Sequence, residues 1–294
     1  MLGRLVRRIA WLVVSLAVIF FFVQAVVPPA GAILRPLDKE VLDSVLLVAT
    51  VAFLFGFLFR RVRWIQHIDT WIHEFGHAVT ASLLGGVPTK IQLNKDSSGA
   101  THFSPTQRPS KFRFFFVCAA GPLASTITFF IAMIFTSRGQ AANVMLVSSA
   151  IVLLVLVTTV RSVWGWFVGL LVWGTMVFVT SLANDWFLGP SHFLIQGSFL
   201  AAMTGIAAGV ATRASIRMMR VNGPYGDEGK IAAILRLPEG LVDFMIVVIN
   251  IGFVALAFTA LGVFGPGYFT TTAPALLQDI FIQVQSWISS VVGN

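Results

Sequence analysis

The chain has 294 residues, of which 57% are hydrophobic and 11% charged, with a mean hydropathy of +0.87. Soluble domains carry about a quarter charged residues, so a water-soluble fold is excluded and the chain is read as an all-α polytopic membrane protein. The net charge of +8 does not indicate nucleic acid, because Lys and Arg occur in small groups between apolar runs, as the positive-inside rule requires.

In chain order, Arg4, Arg7 and Arg8 precede an apolar run over 9–27, read as a retained first crossing that enters from the cytoplasm. A second run, 41–59, ends in Arg60, Arg61 and Arg63 and forms a hairpin with the first. Further crossings are expected over 112–135, 142–160, 163–183, 193–211 and 241–264, giving about seven helices of roughly 20 residues each. Lys111 and Arg113, then Arg161, then Arg213, Arg217 and Arg220 fall on one side when these runs alternate direction. Residues 273–292 mix Gln278, Asp279, Gln283 and Gln285 with apolar residues and read as an interfacial amphipathic helix. The single cysteine, Cys118, excludes intrachain disulfides and Cys-rich metal sites.

One segment stands outside this alternation. Residues 64–84 are helical in pattern but carry His67, Asp69, His73, Glu74 and His77. Ionisable groups at membrane depth are costly and face a bundle interior or a water-filled cavity, which marks the segment as a candidate site on energetic grounds. Gly85, Gly86 and Pro88 stop the helix. The stretch 87–107 then alternates weakly and turns at 96–99, which reads as a short β-hairpin. Helix and hairpin together are expected to form a re-entrant unit, since non-helical backbone at depth must be covered by protein or water.

His73-Glu74-Phe75-Gly76-His77 is an H-E-x-x-H motif on this helix. Residues four apart share a helical face, so both imidazoles can point at one metal ion. Glu74 projects beside that face, where it can take a proton from a water that the ion polarises without being a ligand. A catalytic zinc site takes three protein ligands, so a third must come from elsewhere. His67, His102, His192, Asp185 and Asp227 are the candidates. His67 lies about 600° round the helix from His73 and faces away from the pair. His102 and His192 read as loop or interfacial residues, and Asp185 as a helix-end residue. Asp227 lies in a turn-rich insert, Asn222-Gly223-Pro224-Tyr225-Gly226-Asp227-Glu228-Gly229, on the side where the His73 helix opens.

The H-E-x-x-H motif, Ala-Gly-Pro-Leu-Ala at 120–124 and the later Asn222-x-Pro224-x-x-Asp227 resemble the site-2-protease (M50) family of intramembrane zinc metalloproteases, in its M50B-like branch. The resemblance implies one zinc ion per chain held by His73, His77 and Asp227, with Glu74 as general base and Asn222 as a substrate-side hydrogen-bond donor. It implies an intramembrane zinc endopeptidase that performs regulated intramembrane proteolysis on membrane-anchored proteins. The chain departs from the family pattern at Ser125, where Asn is usual, and at Glu228, where Gly is usual; the second departure leaves Glu228 as an alternative ligand. Thr89, Ile91 and Leu93 are expected to pair with an extended substrate by β-augmentation. The expected division is 1–63 as an N-terminal hairpin, 64–240 as the metalloprotease core and 241–294 as a C-terminal helix and amphipathic helix, with the site opening toward the cytoplasm. Two other readings are a non-proteolytic scaffold that keeps a structural zinc, and a Ste24-like membrane metalloprotease whose third ligand is a Glu on a later helix.

Overall fold

The computed structural model describes residues 2–26, 39–104, 110–182, 192–218 and 226–263. Asp185, Asn222 and the expected amphipathic segment 273–292 lie outside the described residues. The helices in chain order are α1 (Leu2–Val26), α2 (Lys39–Leu58), α3 (Arg63–Leu83), α4 (Lys111–Ser137), α5 (Ala141–Thr158), α6 (Val163–Leu182), α7 (His192–Met218), α8 (Asp227–Leu235) and α9 (Glu239–Phe258), the last running into a π-helical turn, Thr259–Val263. Between α3 and α4 lies one antiparallel hairpin, β1 (Val87–Leu93) and β2 (Gly99–Ser104).

Six of the helices among the described residues, α2, α4, α5, α6, α7 and α9, are long and apolar enough to cross a bilayer. The first expected crossing falls on α1, a helix of 25 residues. The chain is an integral membrane protein. Its lipid-compatible surface is visible in side chains such as Leu47, Leu58, Phe112 and Val163, all large, apolar and exposed.

Because lipid tails are as apolar as Leu, helices in a bilayer associate through close packing at small residues. The tightest crossing follows that rule. Gly205-Ile206-Ala207-Ala208-Gly209 on α7 meets Ala49, Ala52 and Gly56 on α2, so closely that a Cβ at Gly209 or at Gly56 would strike the partner's backbone. The neighbouring core is filled by Phe129, Met133 and Phe135 of α4, Met145 of α5 and Leu200 of α7. Arg60 Nη1 donates to the Arg213 carbonyl at 3.4 Å, bringing the arginines between α2 and α3 to the C-terminal end of α7.

α3 is the amphipathic helix of the bundle. Its face bearing Trp71, Ala78 and Val79 packs with Trp11 and Val14 of α1 and with Ile91 and Leu93 of β1. Its C-terminus closes on Gly85 at φ +88°, with Gly86 N–H donating to the Ala81 carbonyl at 2.8 Å. β1 then runs back along the helix. At the hairpin tip, Thr70 Oγ1 donates to the Ser97 carbonyl at 2.8 Å and Ser97 Oγ to the Arg63 carbonyl at 3.3 Å, so the tip sits at the N-terminal end of α3.

The expected crossing 142–160 is corrected at its C-terminal end. α5 stops at Thr158, and the next residues act as a strand. Ile91 N–H donates to the Thr159 carbonyl at 3.1 Å, and Arg161 N–H to the Ile91 carbonyl at 3.3 Å. Val155, Val157, Thr158, Thr159 and Val160 are β-branched and suit an extended backbone as well as an apolar helix, so composition alone does not locate the stop.

Candidate metal centre and peptidase site

α3 and α4 lie antiparallel in close contact. A Cβ on Gly76 would come within 2.8 Å of the Ala120 carbonyl and 2.7 Å of the Ala124 methyl. Ala120, Gly121 and Ala124 are therefore the small-residue face that admits α3. Gly121 has a second role: a side chain there would collide with the His77 imidazole and come within 2.7 Å of His73 Nε2. The glycine thus leaves the space the two imidazoles occupy. Asn250 of α9, fully buried, braces the other side of α4. Its Oδ1 accepts from Thr126 Oγ1 at 2.6 Å, and its Nδ2 donates to Ser215 Oγ at 2.9 Å and to the Pro122 carbonyl at 3.3 Å.

His77 Nδ1–H donates to the Val117 carbonyl at 2.6 Å. That partner accepts only, so it fixes the neutral tautomer in which Nε2 carries a free lone pair. Nε2 of His77 lies 3.1 Å from His73 Nε2 and 2.9 Å from Asp227 Oδ2, and His73 Nε2 lies 3.2 Å from the same oxygen. Three acceptor-type atoms thus converge from two elements separated by about half the chain. Among the described residues, these three form the group whose His, Asp, Glu and Cys donor atoms could share one metal ion. The donors fit zinc: at the usual bond lengths of about 2.0–2.1 Å, tetrahedral ligand atoms stand about 3.3 Å apart, close to the separations seen.

Asp227 is the first residue of α8. Ile231 and Ala232 anchor that helix against Cys118 of α4 and Val242 and Ile246 of α9, and this turns its N-terminal end toward the imidazoles. Glu228, the alternative ligand, is outside the donor group and folds against Gly226 at the helix start. The carboxylate that meets the histidines is an aspartate on a short helix, unlike the later-helix Glu of the Ste24-like reading.

Glu74 is buried and lies beside the donor group without joining it. Thr101 Oγ1 of β2 is 2.7 Å from Glu74 Oε2 and 2.9 Å from the Glu74 carbonyl. Gly99 packs against the same side chain, since a Cβ there would come within 2.7 Å of Glu74 Cγ and Oε1. The hairpin therefore sets the position of Glu74.

The other sequence candidates are dispersed. His67 is buried and accepts from Trp164 Nε1 at 2.8 Å, on the side of α3 away from the donor group. His102 is exposed on β2, and His192 opens α7. Ser125 Oγ donates to Asp69 Oδ1 at 2.6 Å, one turn from His73.

Of the residues expected to pair with a substrate, Thr89, Ile91 and Leu93, the last two have their outer edge taken by the chain itself. On the side of β1 away from β2, Ile91 uses both its N–H and its carbonyl on Thr159 and Arg161, and Leu93 N–H donates to Ser162 Oγ at 3.1 Å. Ile91 and Leu93 are also buried. Ile91 faces Thr101 across the hairpin, and a residue whose backbone groups point outward on one strand sits opposite a residue that does the same. The N–H and carbonyl of Thr101 thus point to the outer edge of β2, where no hydrogen bond takes them among the described residues. Sequence reasoning missed Thr101 and Lys230. The hairpin pattern carried no mark for the first; the i,i+3 spacing from Asp227 was the available signal for the second.

A family model described as Peptidase M50B-like matches residues 44–257, from α2 to the last turn of α9. Comparison with curated proteins and with solved structures found no match. With the match covering most of a chain built of membrane-crossing helices, the protein belongs to the M50B-like family of membrane peptidases.

Proposed function

We propose that this protein is a zinc endopeptidase that cleaves membrane-anchored proteins within or beside the bilayer. The observation that carries the reading is the convergence of His73, His77 and Asp227 next to a buried Glu74 that stays out of the donor group. His73, His77 and Asp227 would hold one zinc ion. When bound, zinc supplies Lewis acidity, polarising a scissile carbonyl and lowering the pKa of water.

The remaining work belongs to the chain. Glu74 accepts the proton of the attacking water on its carboxylate and returns it to the leaving amine. Thr101, donating to Oε2, holds that carboxylate in place. Val117 and Gly121 orient the imidazoles, one through its carbonyl and one by leaving space. A helical substrate hides its carbonyls in its own hydrogen bonds, so it must be extended to be cut. The outer edge of β2 offers the Thr101 backbone groups to such a strand beside Glu74, and Asn222 is assigned as a further donor to the substrate. In this reading 1–63 form an N-terminal hairpin, 64–240 the catalytic core and 241–294 a C-terminal unit.

The test uses purified protein in lipid vesicles with a membrane-anchored reporter. A zinc chelator is expected to stop cleavage, and zinc added alone to restore it. Cleavage that persists in zinc-free protein contradicts the reading. The site is assigned to the cytoplasmic side, because the hairpin tip lies at the Arg63 end of α3, near the Arg60 to Arg213 contact. A Ser98→Cys variant on a Cys118→Ser background is expected to react with a membrane-impermeant thiol reagent only from the cytoplasm, and labelling from outside would invert the assignment.

A further inference from the structure

We propose that Lys230 is a positioning residue that holds Asp227 as a single-oxygen ligand. The inference rests on the zinc-site reading given above. Lys230 follows Asp227 by three residues, so both lie on one face of α8. Lys230 Nζ donates to Asp227 Oδ1 at 3.1 Å, while the other oxygen, Oδ2, faces both imidazoles at 2.9 and 3.2 Å. The two carboxylate oxygens are thus divided between two tasks. The Asp227 end of the pair is sheltered, its side chain being only 16% exposed, while the Lys230 side chain reaches it from the solvent side at 44% exposed. One side of the carboxylate is fixed by the histidines and the other by the lysine. Rotation that would turn both oxygens toward a metal is blocked, which keeps a coordination position open for water, as a catalytic site requires.

Charge and positioning predict opposite outcomes when Lys230 is removed, and this makes the idea testable. A cation beside the site repels a second cation, so by charge alone Lys230→Met would bind zinc more tightly. If Lys230 acts by holding Asp227, the same substitution weakens binding, by about the 10–100-fold typical of groups that orient metal ligands. Lys230→Arg and Lys230→Gln each keep an N–H donor, and only the first keeps the charge. Positioning predicts that both retain affinity within a few-fold of the parent, roughly an order of magnitude or more above Lys230→Met.

The experiment is competition for zinc, supplied alone, between purified protein in detergent and a chromogenic chelator. It compares the parent, the three Lys230 variants and His77→Ala, with thermal unfolding of each as a control for folding. Weakening in Lys230→Met with recovery in Lys230→Gln supports positioning. Equal or tighter binding in Lys230→Met overturns it while leaving the zinc site intact, and so does Lys230→Gln binding as weakly as Lys230→Met. If Lys230→Met fails to fold, the comparison of Lys230→Gln with the parent decides, and a loss of more than about tenfold in folded Lys230→Gln overturns the proposal. A parent that binds no more zinc than His77→Ala removes the zinc reading, and the role of Lys230 with it.

Discussion

Glu74→Gln is expected to leave the protein folded and loaded with zinc while abolishing useful turnover. Glutamine matches glutamate in size and can still accept from Thr101 Oγ1, which lies 2.7 Å from Glu74 Oε2. It cannot take up a proton. Loss of a general base costs about a hundredfold to ten-thousandfold in rate, well within reach of a cleavage assay. Zinc content should be unchanged, because Glu74 lies outside the donor group. Substrate binding along β2 needs no proton transfer, so the variant should also co-purify with a membrane-anchored substrate more readily than the parent. Cleavage by Glu74→Gln at the parental rate would contradict the mechanism even with zinc bound.

The second large effect concerns the metal. Asp227→Ala is expected to lose zinc, as are His73→Ala and His77→Ala, because each removes one of three converging donor atoms. The loss should exceed the roughly 10–100-fold produced by changing a residue that merely orients a ligand. His67→Ala is expected to keep zinc, since its imidazole is taken by Trp164 on the other side of α3. Stoichiometric zinc measured in purified Asp227→Ala would overturn the ligand assignment, and Glu228→Ala would then be the variant to measure.

The parts of this molecule that were legible in the sequence are those set by local chemistry. Apolar runs between small basic groups gave the crossings, because the bilayer leaves few alternatives to a helix of this length. The spacing of His73 and His77 announced their shared face. Gly85-Gly86 stopped α3 where expected, since Gly85 adopts a left-handed conformation. Asp227 came from a resemblance and from the side it should occupy; the fold accounts for its approach through the packing of Ile231 and Ala232 on α4 and α9.

What the sequence did not disclose depends on partners distant along the chain. Residues 159–161 read as the end of a helix because β-branched apolar residues serve both states, and only their pairing with Ile91 decides between them. That pairing moves the available strand edge from β1 to β2. Thr101 is one threonine among many until the hairpin folds back onto α3 and places its hydroxyl on Glu74. Gly121 belongs to the Ala-Gly-Pro-Leu-Ala stretch that carried part of the resemblance, and only the fold shows that its neighbours are the two imidazoles.

Whether His73, His77 and Asp227 form one zinc site is read by zinc-edge X-ray absorption of the purified parent protein. The expected result is one zinc per chain, bound by light donors only at about 2.0–2.2 Å, two of them imidazole nitrogens. A thiolate donor at about 2.3 Å, which only Cys118, the single cysteine, could supply, or protein purified from zinc-replete cells without the metal, would contradict that site.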